Sequence, residues 1–509
     1  MNSYNDRPQK QKASIKKNYL FNLIYQLFLI IVPLIVTPYT SRVLLPDGIG
    51  KNAFANSLLT YFTIFANLGF AFYGQRLIAK NQNDKTAQSV AFWEIIFCRS
   101  IPTLVSLVAN IAFCSFKIYG DYNALMWCNC INLLALGFDI SFFFQGNEDF
   151  KKLVVRNVLI KSLSVAAVFL FVKKPSDLWI YALINSCNAF FSTLAMWVGI
   201  HKYIISWKGE KLRPFKHFKG ALTLFVPAIA ISIYLVLDRT LIGVMVPGTY
   251  TVVENGVEVV KKCADFENGI YNQSETLVKM FVTVVTSLGT VMISRNAQEY
   301  SQGNLGVVKE NIIKSSQFVW ALGVPIMLGL ISIAGNFVPW FFGENYSKCI
   351  LLIALFSPLV LIIGFSNILA HQYMVPIGLD KKYTIAVSSG AAINLLLNCI
   401  FIPIWQSLGA ALATVIAEFF ITSILFVMLR KEIEIKKMLS CSWKYWLSGV
   451  LMFAVVFPLS IYVFSPTILS IVLTTIIGAT IYFLFLLLLK DDLVFNFLKM
   501  LQRKKNEKR

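Results

Sequence analysis

The amino-acid sequence predicts an all-α polytopic membrane protein with about 14 transmembrane helices. Of its 509 residues, 57% are hydrophobic and only 14% are charged, whereas about 25% of the residues in soluble domains are charged. Apolar runs of about 20 residues alternate with short polar stretches from residue 18 to residue 489. A helix of that length crosses a hydrocarbon core about 30 Å thick. The mean hydropathy of +0.66 agrees with this class of protein.

Polar residues divide the apolar sequence into fourteen predicted spans. The spans cover residues 18–40, 53–73, 88–112, 122–145, 152–172, 177–200, 220–245, 269–293, 314–335, 348–370, 384–403, 407–429, 443–464 and 467–489. The first span follows a basic N-terminus, residues 1–17, and lacks the small-residue cleavage site of a signal peptide. We therefore expect the first helix to remain in the protein. The even number of spans places both termini on one side of the membrane.

Lysine and arginine are distributed unevenly between the two faces of this predicted topology. Of the 46 Lys and Arg residues, 33 lie in the termini and loops of one face, 8 in the loops of the other face and 5 within spans. Cytoplasmic loops of membrane proteins are enriched in these residues. Both termini, the basic linker 201–219 and the basic tail 490–509 are therefore predicted to be cytoplasmic.

Two stretches of sequence resemble each other and predict an internal repeat. The stretch that begins Arg42-Val-Leu-Leu has a counterpart that begins Arg239-Thr-Leu-Ile, and each stretch ends in a Leu-Gly pair. Internal repeats of this kind build many transporters. We expect two six-helix lobes around a central cavity, residues 18–200 and 220–429, followed by two additional helices within residues 443–489.

The second copy of the repeat contains an insertion at residues 247–268. An Asn255-Gly256 pair lies there between two runs rich in β-branched residues. This arrangement is the strongest short sequence signal for a β-hairpin. We expect a hairpin that faces the outside.

The sequence lacks the motifs that are typical of several other functional classes. The chain has no P-loop motif, which argues against a nucleotide-driven pump. It has three histidines, and the Cys128-x-Cys130 pair has no histidine nearby, so we predict buried thiols and no metal site. The net charge of +20 is explained by basic loops, and no nucleic-acid partner is expected. No loop exceeds about 25 residues, which predicts a transporter and not an enzyme.

Ionisable side chains within the spans are candidate functional residues, because each costs about 2.5–3.5 kcal/mol to insert. The cations expected to line the cavity are Arg99, Lys161, Arg239, Arg42, Arg156 and Lys279. The acids expected to couple an ion or to pair with these bases are Asp139, Asp238 and Glu418. The amides expected to contact sugar hydroxyls are Asn132, Gln145, Asn185, Asn188, Gln273, Asn394 and Asn398. A surplus of cations suits an anionic solute such as a diphosphate, but pairing that holds helices in register is the alternative interpretation.

Two motifs resemble a known family. Residues 38–50 read Pro-Tyr-Thr-Ser-Arg-Val-Leu-Leu-Pro-Asp-Gly-Ile-Gly, and residues 143–148 read Phe-Phe-Gln-Gly-Asn-Glu. With them the chain is similar to the polysaccharide-biosynthesis flippases, the Wzx-like branch of the multidrug/oligosaccharidyl-lipid/polysaccharide exporter superfamily. Leu45 stands where that family usually has glycine, and Ser294 stands where proline is common.

The resemblance implies a fold and a function. It implies two six-helix lobes around a cationic cavity that carry an oligosaccharide on undecaprenyl diphosphate across the bacterial cytoplasmic membrane by alternating access. The products of such pathways are capsule, exopolysaccharide or O-antigen, and a polysaccharide polymerase is a candidate partner. No cofactor is expected, and coupling to H⁺, to Na⁺ or to the membrane potential remains open.

Two alternatives belong to other functional classes. A multidrug exporter of the same superfamily would use acidic and aromatic cavity groups for organic cations, whereas this chain has a surplus of cations. A membrane glycan polymerase would need a large outward loop with catalytic residues. The longest outward loop is the short predicted hairpin.

Overall fold

The computed structural model describes residues 9–82, 84–147, 150–205, 212–254, 257–491 and 493–495. These residues form helices almost throughout, together with one two-stranded hairpin. They group into two compact units, which we call the N-unit (Met1–Thr240) and the C-unit (Leu241–Arg509).

The N-unit consists of helices joined by short turns. Its α-helices are α1 (Gln9–Asn67), α2 (Phe70–Lys80), α3 (Lys85–Ser115), α4 (Asn123–Gly137), α5 (Ser141–Gly146), α6 (Phe150–Phe171), α7 (Leu178–Trp197) and most of α8 (Phe218–Met245). Single 3-10 turns cover Gly120–Tyr122, Pro175–Asp177, Ile200–Lys202 and Pro214–His217. Within the described residues its core is divided into three separate apolar clusters.

The C-unit begins with the hairpin and continues as helices. Its elements are β1 (Thr249–Glu254), β2 (Val257–Lys262), α9 (Cys263–Ser301), α10 (Leu305–Phe341), α11 (Cys349–Phe356), α12 (Leu359–Asn367), α13 (Asp380–Trp405), α14 (Ser407–Leu429), α15 (Ile435–Ser440), α16 (Ser442–Pro458) and α17 (Ile468–Leu488). A 3-10 turn covers Glu344–Tyr346, and π-helical segments cover Ile368–Met374 and Leu459–Val463. One large apolar cluster extends through these helices.

The number of membrane-crossing helices is close to the predicted number. Within the described residues, 12 helical stretches are long and apolar enough to cross a membrane. The first two predicted spans share one of these stretches, Ile31–Lys80. Predicted span 7 is helix α8, which is not among the 12. The prediction of an all-α polytopic protein with about fourteen helices is therefore confirmed.

Several predicted spans are bent or interrupted. Helix α1 runs through both of the first two predicted spans, with a kink at Leu45, where φ is 60° and ψ is 170°. The kink lies here because Pro46 disfavours helical backbone at the preceding residue. Predicted span 4 is broken between α4 and α5, and Asp139 lies in the break. The second span ends early because Gly69, with φ of 77°, begins a new helix.

The boundary between the compact units differs from the predicted boundary between the lobes. The N-unit extends through Thr240 and includes most of α8, which the repeat assigned to the second lobe. The Tyr61 hydroxyl donates to the Thr240 hydroxyl at 3.0 Å, and the ring of Phe225 packs on Phe65 with centroids 6.4 Å apart. These contacts lie between helices α1 and α8, and they explain why α8 groups with the N-unit.

The predicted hairpin is present. Strands β1 and β2 pair antiparallel from Thr249 opposite Lys262 to Glu254 opposite Val257. The turn residues 255–256 lie outside the described residues. The predicted insertion, residues 247–268, is shorter as a hairpin than expected, because helix α9 already begins at Cys263.

Helices α16 and α17 belong to the C-unit. The Tyr482 hydroxyl of α17 donates to the carbonyl of Ala321 on α10 at 3.0 Å. The Asn336 amide of α10 donates to the carbonyl of Ser460, just after α16, at 2.6 Å. The last two spans are therefore attached to α10 by buried polar contacts as well as by apolar packing.

Candidate functional site

A cavity with a single lysine lies in the N-unit between helices α1, α6 and α7. Its volume is about 270 Å³. Its lining residues are Val32, Pro33, Val36, Thr37 and Thr40 of α1, Lys161, Ser164, Val165 and Val168 of α6, and Tyr181 and Asn185 of α7. The cavity therefore combines apolar walls with one cation and a few neutral polar groups. Cavities of this kind are typical ligand sites.

The Lys161 ammonium is the charged group of this cavity. The side chain is half-buried, and among the described residues no carboxylate lies within 4.0 Å of its nitrogen. An uncompensated ammonium in an apolar region is costly, because burial removes its hydration. A bound anion would compensate that charge. Lys161 is therefore the sequence-predicted cation whose surroundings best suit an anionic ligand.

The neutral polar groups of the cavity are anchored by their own helices. The Thr40 hydroxyl donates to the carbonyl of Val36 at 3.1 Å, and the Ser164 hydroxyl donates to the carbonyl of Lys161 at 2.8 Å. The Asn185 amide donates to the carbonyl of Tyr181 at 3.0 Å. Each of these bonds uses one donor of its group, and the side-chain oxygens keep lone pairs with which they can accept further hydrogen bonds. Such oxygens suit the hydroxyl donors of a sugar.

Arg99 occupies a different environment from the predicted one. Its side chain is only 1% exposed, and its guanidinium donates to the carbonyls of Leu136, at 2.9 Å, and of Asp139. These carbonyls lie at the break between α4 and α5. The guanidinium also lies over the ring of Phe142, 5.7 Å from the ring centroid. In this structure Arg99 stabilises a helix end, and the described residues around it do not form part of the Lys161 cavity.

Arg156 plays a similar structural part at the end of α7. Its guanidinium donates to the carbonyls of Met196 at 3.2 Å and Val198 at 2.6 Å. It also lies 5.9 Å from the ring centroid of Phe144. Carbonyls at the end of α7 thus accept from two of its donors, and substrate binding by Arg156 stays a prediction.

The other predicted cations are dispersed. Lys279 forms an ion pair with Glu275 one turn earlier on α9, with nitrogen and oxygen 2.6 Å apart. Arg42 is exposed on α1, and Arg239 is half-buried on α8 beside the buried Asp238. None of these residues lines the Lys161 cavity in the described part of the chain. Binding of substrate by these residues stays a prediction.

The predicted acids and amides are likewise spread over both units. The Asp139 carboxylate accepts from the backbone N–H of Ser141 at 2.8 Å and thereby starts α5, while Glu418 is half-buried on α14. The Asn398 amide donates to the Asn394 side chain at 3.1 Å, and both are fully buried on α13. Gln273 is buried on α9, and Gln145 is half-buried on α5. Their roles in coupling or sugar binding stay predictions.

Comparison with known proteins identifies the family. The family model described as "Polysaccharide biosynthesis protein" matches residues 15–293, a little more than half of the chain. The chain belongs to this polysaccharide biosynthesis protein family. It is 22% identical over 436 residues to the "Putative O-antigen transporter" of Escherichia coli (strain K12), covering 84% of this chain and 99% of that protein. A shorter stretch of 163 residues is 24% identical to the lipid II flippase MurJ of Bacillus subtilis (strain 168), covering 31% of this chain and 29% of MurJ.

Solved structures show the fold of this polysaccharide biosynthesis protein. A lipid II flippase MurJ in the inward closed conformation aligns with a TM-score of 0.71 at 16% identity, covering 94% of this chain and all of that chain. An inward-facing multidrug resistance MATE family transporter of the MOP superfamily aligns with a TM-score of 0.58 at 14% identity, covering 81% of this chain and 99% of that chain. The predicted polysaccharide-biosynthesis family is confirmed by the family model, and these two likenesses show that the fold is the one found in the MurJ and MATE structures. The apolar helical stretches and this fold show a multi-pass membrane protein.

One buried polar cluster of this polysaccharide biosynthesis protein was not predicted from the sequence. Glu94 of α3 and His217, just before α8, are 1% and 3% exposed, and they contact each other at 2.8 Å. The sequence signal was present, because Glu94 lies inside an apolar run and His217 is one of only three histidines. The two residues are far apart in the chain, however, and nothing in the local pattern pairs them.

Proposed function

We propose that this protein is a flippase for oligosaccharides linked to undecaprenyl diphosphate. It moves them from the inner to the outer leaflet by alternating access, and the exported units are assembled into capsule, exopolysaccharide or O-antigen. The observation that carries the proposal is the Lys161 cavity, where a cation that has no carboxylate partner in the described part of the chain lies beside neutral polar groups. The family and the O-antigen transporter relative support a lipid-linked glycan as the substrate.

The chemistry of the cavity fits such a substrate. A diphosphate cannot cross hydrocarbon without replacement of its hydration, because desolvation of its charges is very costly. The Lys161 ammonium supplies an opposite charge and three donors, while the hydroxyls and Asn185 match sugar hydroxyls. The polyprenyl chain stays in the lipid during transport. An organic cation would be repelled by the lysine, which argues against multidrug export from this site.

The orientation of the protein is part of the proposal. Both termini and the 201–219 linker face the cytoplasm, and the hairpin faces outside, as the distribution of basic residues predicts. A single cysteine introduced at Thr251, which is exposed on β1, should react with an impermeant maleimide in intact cells whose protein lacks the native thiols. Reaction only after permeabilisation would reverse the orientation.

The driving force follows from the same chemistry. Outward movement of a dianion is favoured by an inside-negative potential, by about 2.3 kcal/mol per charge per 100 mV. Coupling to H⁺ or Na⁺ is then an addition that the transport step does not require. Dissipating the potential in vesicles at constant pH and Na⁺ should therefore slow transport.

Substitution of Lys161 tests the proposed function. In a strain that lacks its flippase, with the accumulating lipid-linked intermediate identified by mass spectrometry, Lys161→Met should lower export at least about tenfold at an unchanged protein level. Lys161→Arg should retain most of the export, because it keeps the charge. The matched control is Lys314→Met, which removes a lysine that is 65% exposed and paired with Glu310. Full export by Lys161→Met would exclude the cavity from the pathway.

A further inference from the structure

The carboxylate of Glu94 is surrounded by donors from one short segment. Its oxygens accept from the backbone N–H of Arg213 at 2.7 Å, the Lys216 ammonium at 2.7 Å and Nε2 of His217 at 2.8 Å. Glu94 is 1% exposed, whereas the Lys216 side chain is 53% exposed. The carboxylate thus joins the interior of the N-unit to residues 213–217, which lead directly into α8.

The imidazole of His217 extends the cluster to α2. Its Nδ1 lies 2.9 Å from the Tyr73 hydroxyl, and the two rings pack with centroids 5.5 Å apart. The same tyrosine ring closes over the start of α8, since a Cβ atom on Gly220 would lie 2.4 Å from it. We call Tyr73, Glu94, Lys216 and His217 the linker latch, because together they hold the end of the basic linker on the N-unit.

A proton has different effects on the hydrogen bonds of Glu94 and of His217. Neutral His217 donates from Nε2 to Glu94 and accepts from the Tyr73 hydroxyl at Nδ1. The imidazolium donates from both nitrogens, and the tyrosine oxygen then accepts, so both forms of His217 keep every hydrogen bond. Protonated Glu94 cannot keep all of its hydrogen bonds, because its new O–H points at donors that previously bonded to the carboxylate. Its attraction to Lys216 is also lost with the negative charge.

We propose that Glu94 is a proton-binding site that controls docking of the linker segment 213–220 on the N-unit. The latch is closed while Glu94 is a carboxylate, and it opens when this group takes up a proton. The titratable and charged groups that face Glu94 among the described residues are Lys216 and His217 from the linker, with Tyr73 from α2 and Cys98 from α3 adjoining them. Arg213 contributes its backbone N–H.

The position of the latch gives its release a mechanical consequence. Helix α8 starts at Phe218, directly after His217, and the N-unit ends at Thr240 near the other end of the same helix. Opening the latch frees the N-terminal end of α8 from the N-unit while the contact of Thr240 with Tyr61 remains. A role of this release in alternating access rests on the proposed flippase function, but the latch itself does not.

Hydrogen exchange of the whole protein in nanodiscs tests the latch without any substrate. After correction for the intrinsic rate, protection of the amides in residues 212–220 should fall about tenfold between about pH 7 and about pH 3, because three donors keep Glu94 ionised at neutral and mildly acidic pH. Glu94→Gln should show low protection at both pH values. Glu310→Gln, which neutralises a carboxylate that is 63% exposed, should show the same pH dependence as the wild type in residues 212–220. The hairpin, residues 249–262, is an internal reference whose corrected protection should not change with pH.

The outcomes separate the proposal from its alternatives. Protection in the wild type that does not change with pH would overturn it, and this measurement needs no variant to fold. A Glu94→Gln protein that keeps the wild-type pH dependence would also overturn it, because another group would then be the one that titrates. If Lys161→Met exports normally, the proposed flippase site fails, while the exchange result on the latch is unaffected.

Discussion

Arg99 and Lys161 are two cations within apolar helices of the N-unit, and the structure gives them opposite surroundings. Arg99 is 1% exposed and donates to carbonyls at the break between α4 and α5. Lys161 is half-buried beside a cavity of about 270 Å³ and has no carboxylate partner among the described residues. The acceptors around a buried cation therefore decide between a structural and a ligand-binding role.

The difference arises from the backbone carbonyls near each cation. Helix α4 ends at Gly137, so carbonyls at its end have lone pairs for an additional donor. Arg99 takes them. Helix α6 runs without interruption from Phe150 to Phe171, so its carbonyls are occupied by its own amides around Lys161. The lysine must find its counter-charge elsewhere, and the cavity is where a ligand can supply it.

The largest effect is expected at Arg99. Replacement by alanine removes this donor from two part-buried carbonyls and leaves a cavity in place of a fully buried side chain, so Arg99→Ala should lower the free energy of unfolding by about 2–5 kcal/mol. Thermal unfolding in detergent and the amount of protein in the membrane would show the loss. Arg156→Ala is a matched control, because Arg156 also donates to two carbonyls at a helix end. Its side chain is only half-buried, so Arg156→Ala should lower the free energy of unfolding less than Arg99→Ala does. Normal stability of Arg99→Ala would remove the distinction between the two cations.

A smaller effect of the opposite sign is expected at Lys161. Lys161→Met removes a half-buried charge that has no carboxylate partner among the described residues, so stability should stay the same or rise by up to about 1 kcal/mol. The same variant should lose export, because ligand sites are commonly built at the expense of stability. Unfolding midpoints measured beside those of Lys161→Arg would test this. A marked fall in stability for Lys161→Met would make Lys161 a structural residue like Arg99.

The smallest effect concerns the backbone of α1, whose residues also line the Lys161 cavity. Leu45 has φ of 60°, a region that costs a non-glycine residue about 1–3 kcal/mol. Glycine tolerates this conformation but loses about 0.5–1 kcal/mol through its greater freedom when unfolded. Leu45→Gly should therefore be more stable than Leu45→Ala by about 1 kcal/mol in unfolding experiments, because both variants lose the half-buried leucine side chain and only glycine relieves the backbone. Equal stability of the two variants would show that φ at this position is not a source of strain.

The pattern of residues alone was enough to predict much of this protein. Apolar runs of membrane-spanning length predict the helices, and the Asn255-Gly256 turn predicts the hairpin. The motif at residues 38–50 indicated the family, and Leu45 was singled out there as a departure from glycine. The positive φ at Leu45 gives that departure a physical meaning, because the position needs the conformation that glycine adopts most easily.

Only the tertiary structure decided what each buried charge does. The sequence assigned Arg99 and Lys161 the same role, because both are cations inside apolar runs, and it left Glu94 without a role. The acceptors of Arg99, the cavity beside Lys161 and the donors around Glu94 come from helices and turns that lie about 20 to 130 residues away in the chain. Hydropathy and local motifs report on neighbours along the chain, whereas the energy of a buried charge depends on neighbours in space. For this reason the sequence determined the membrane-spanning helices and the family, and the packing of the N-unit determined which charges are structural and which are available to a ligand or a proton.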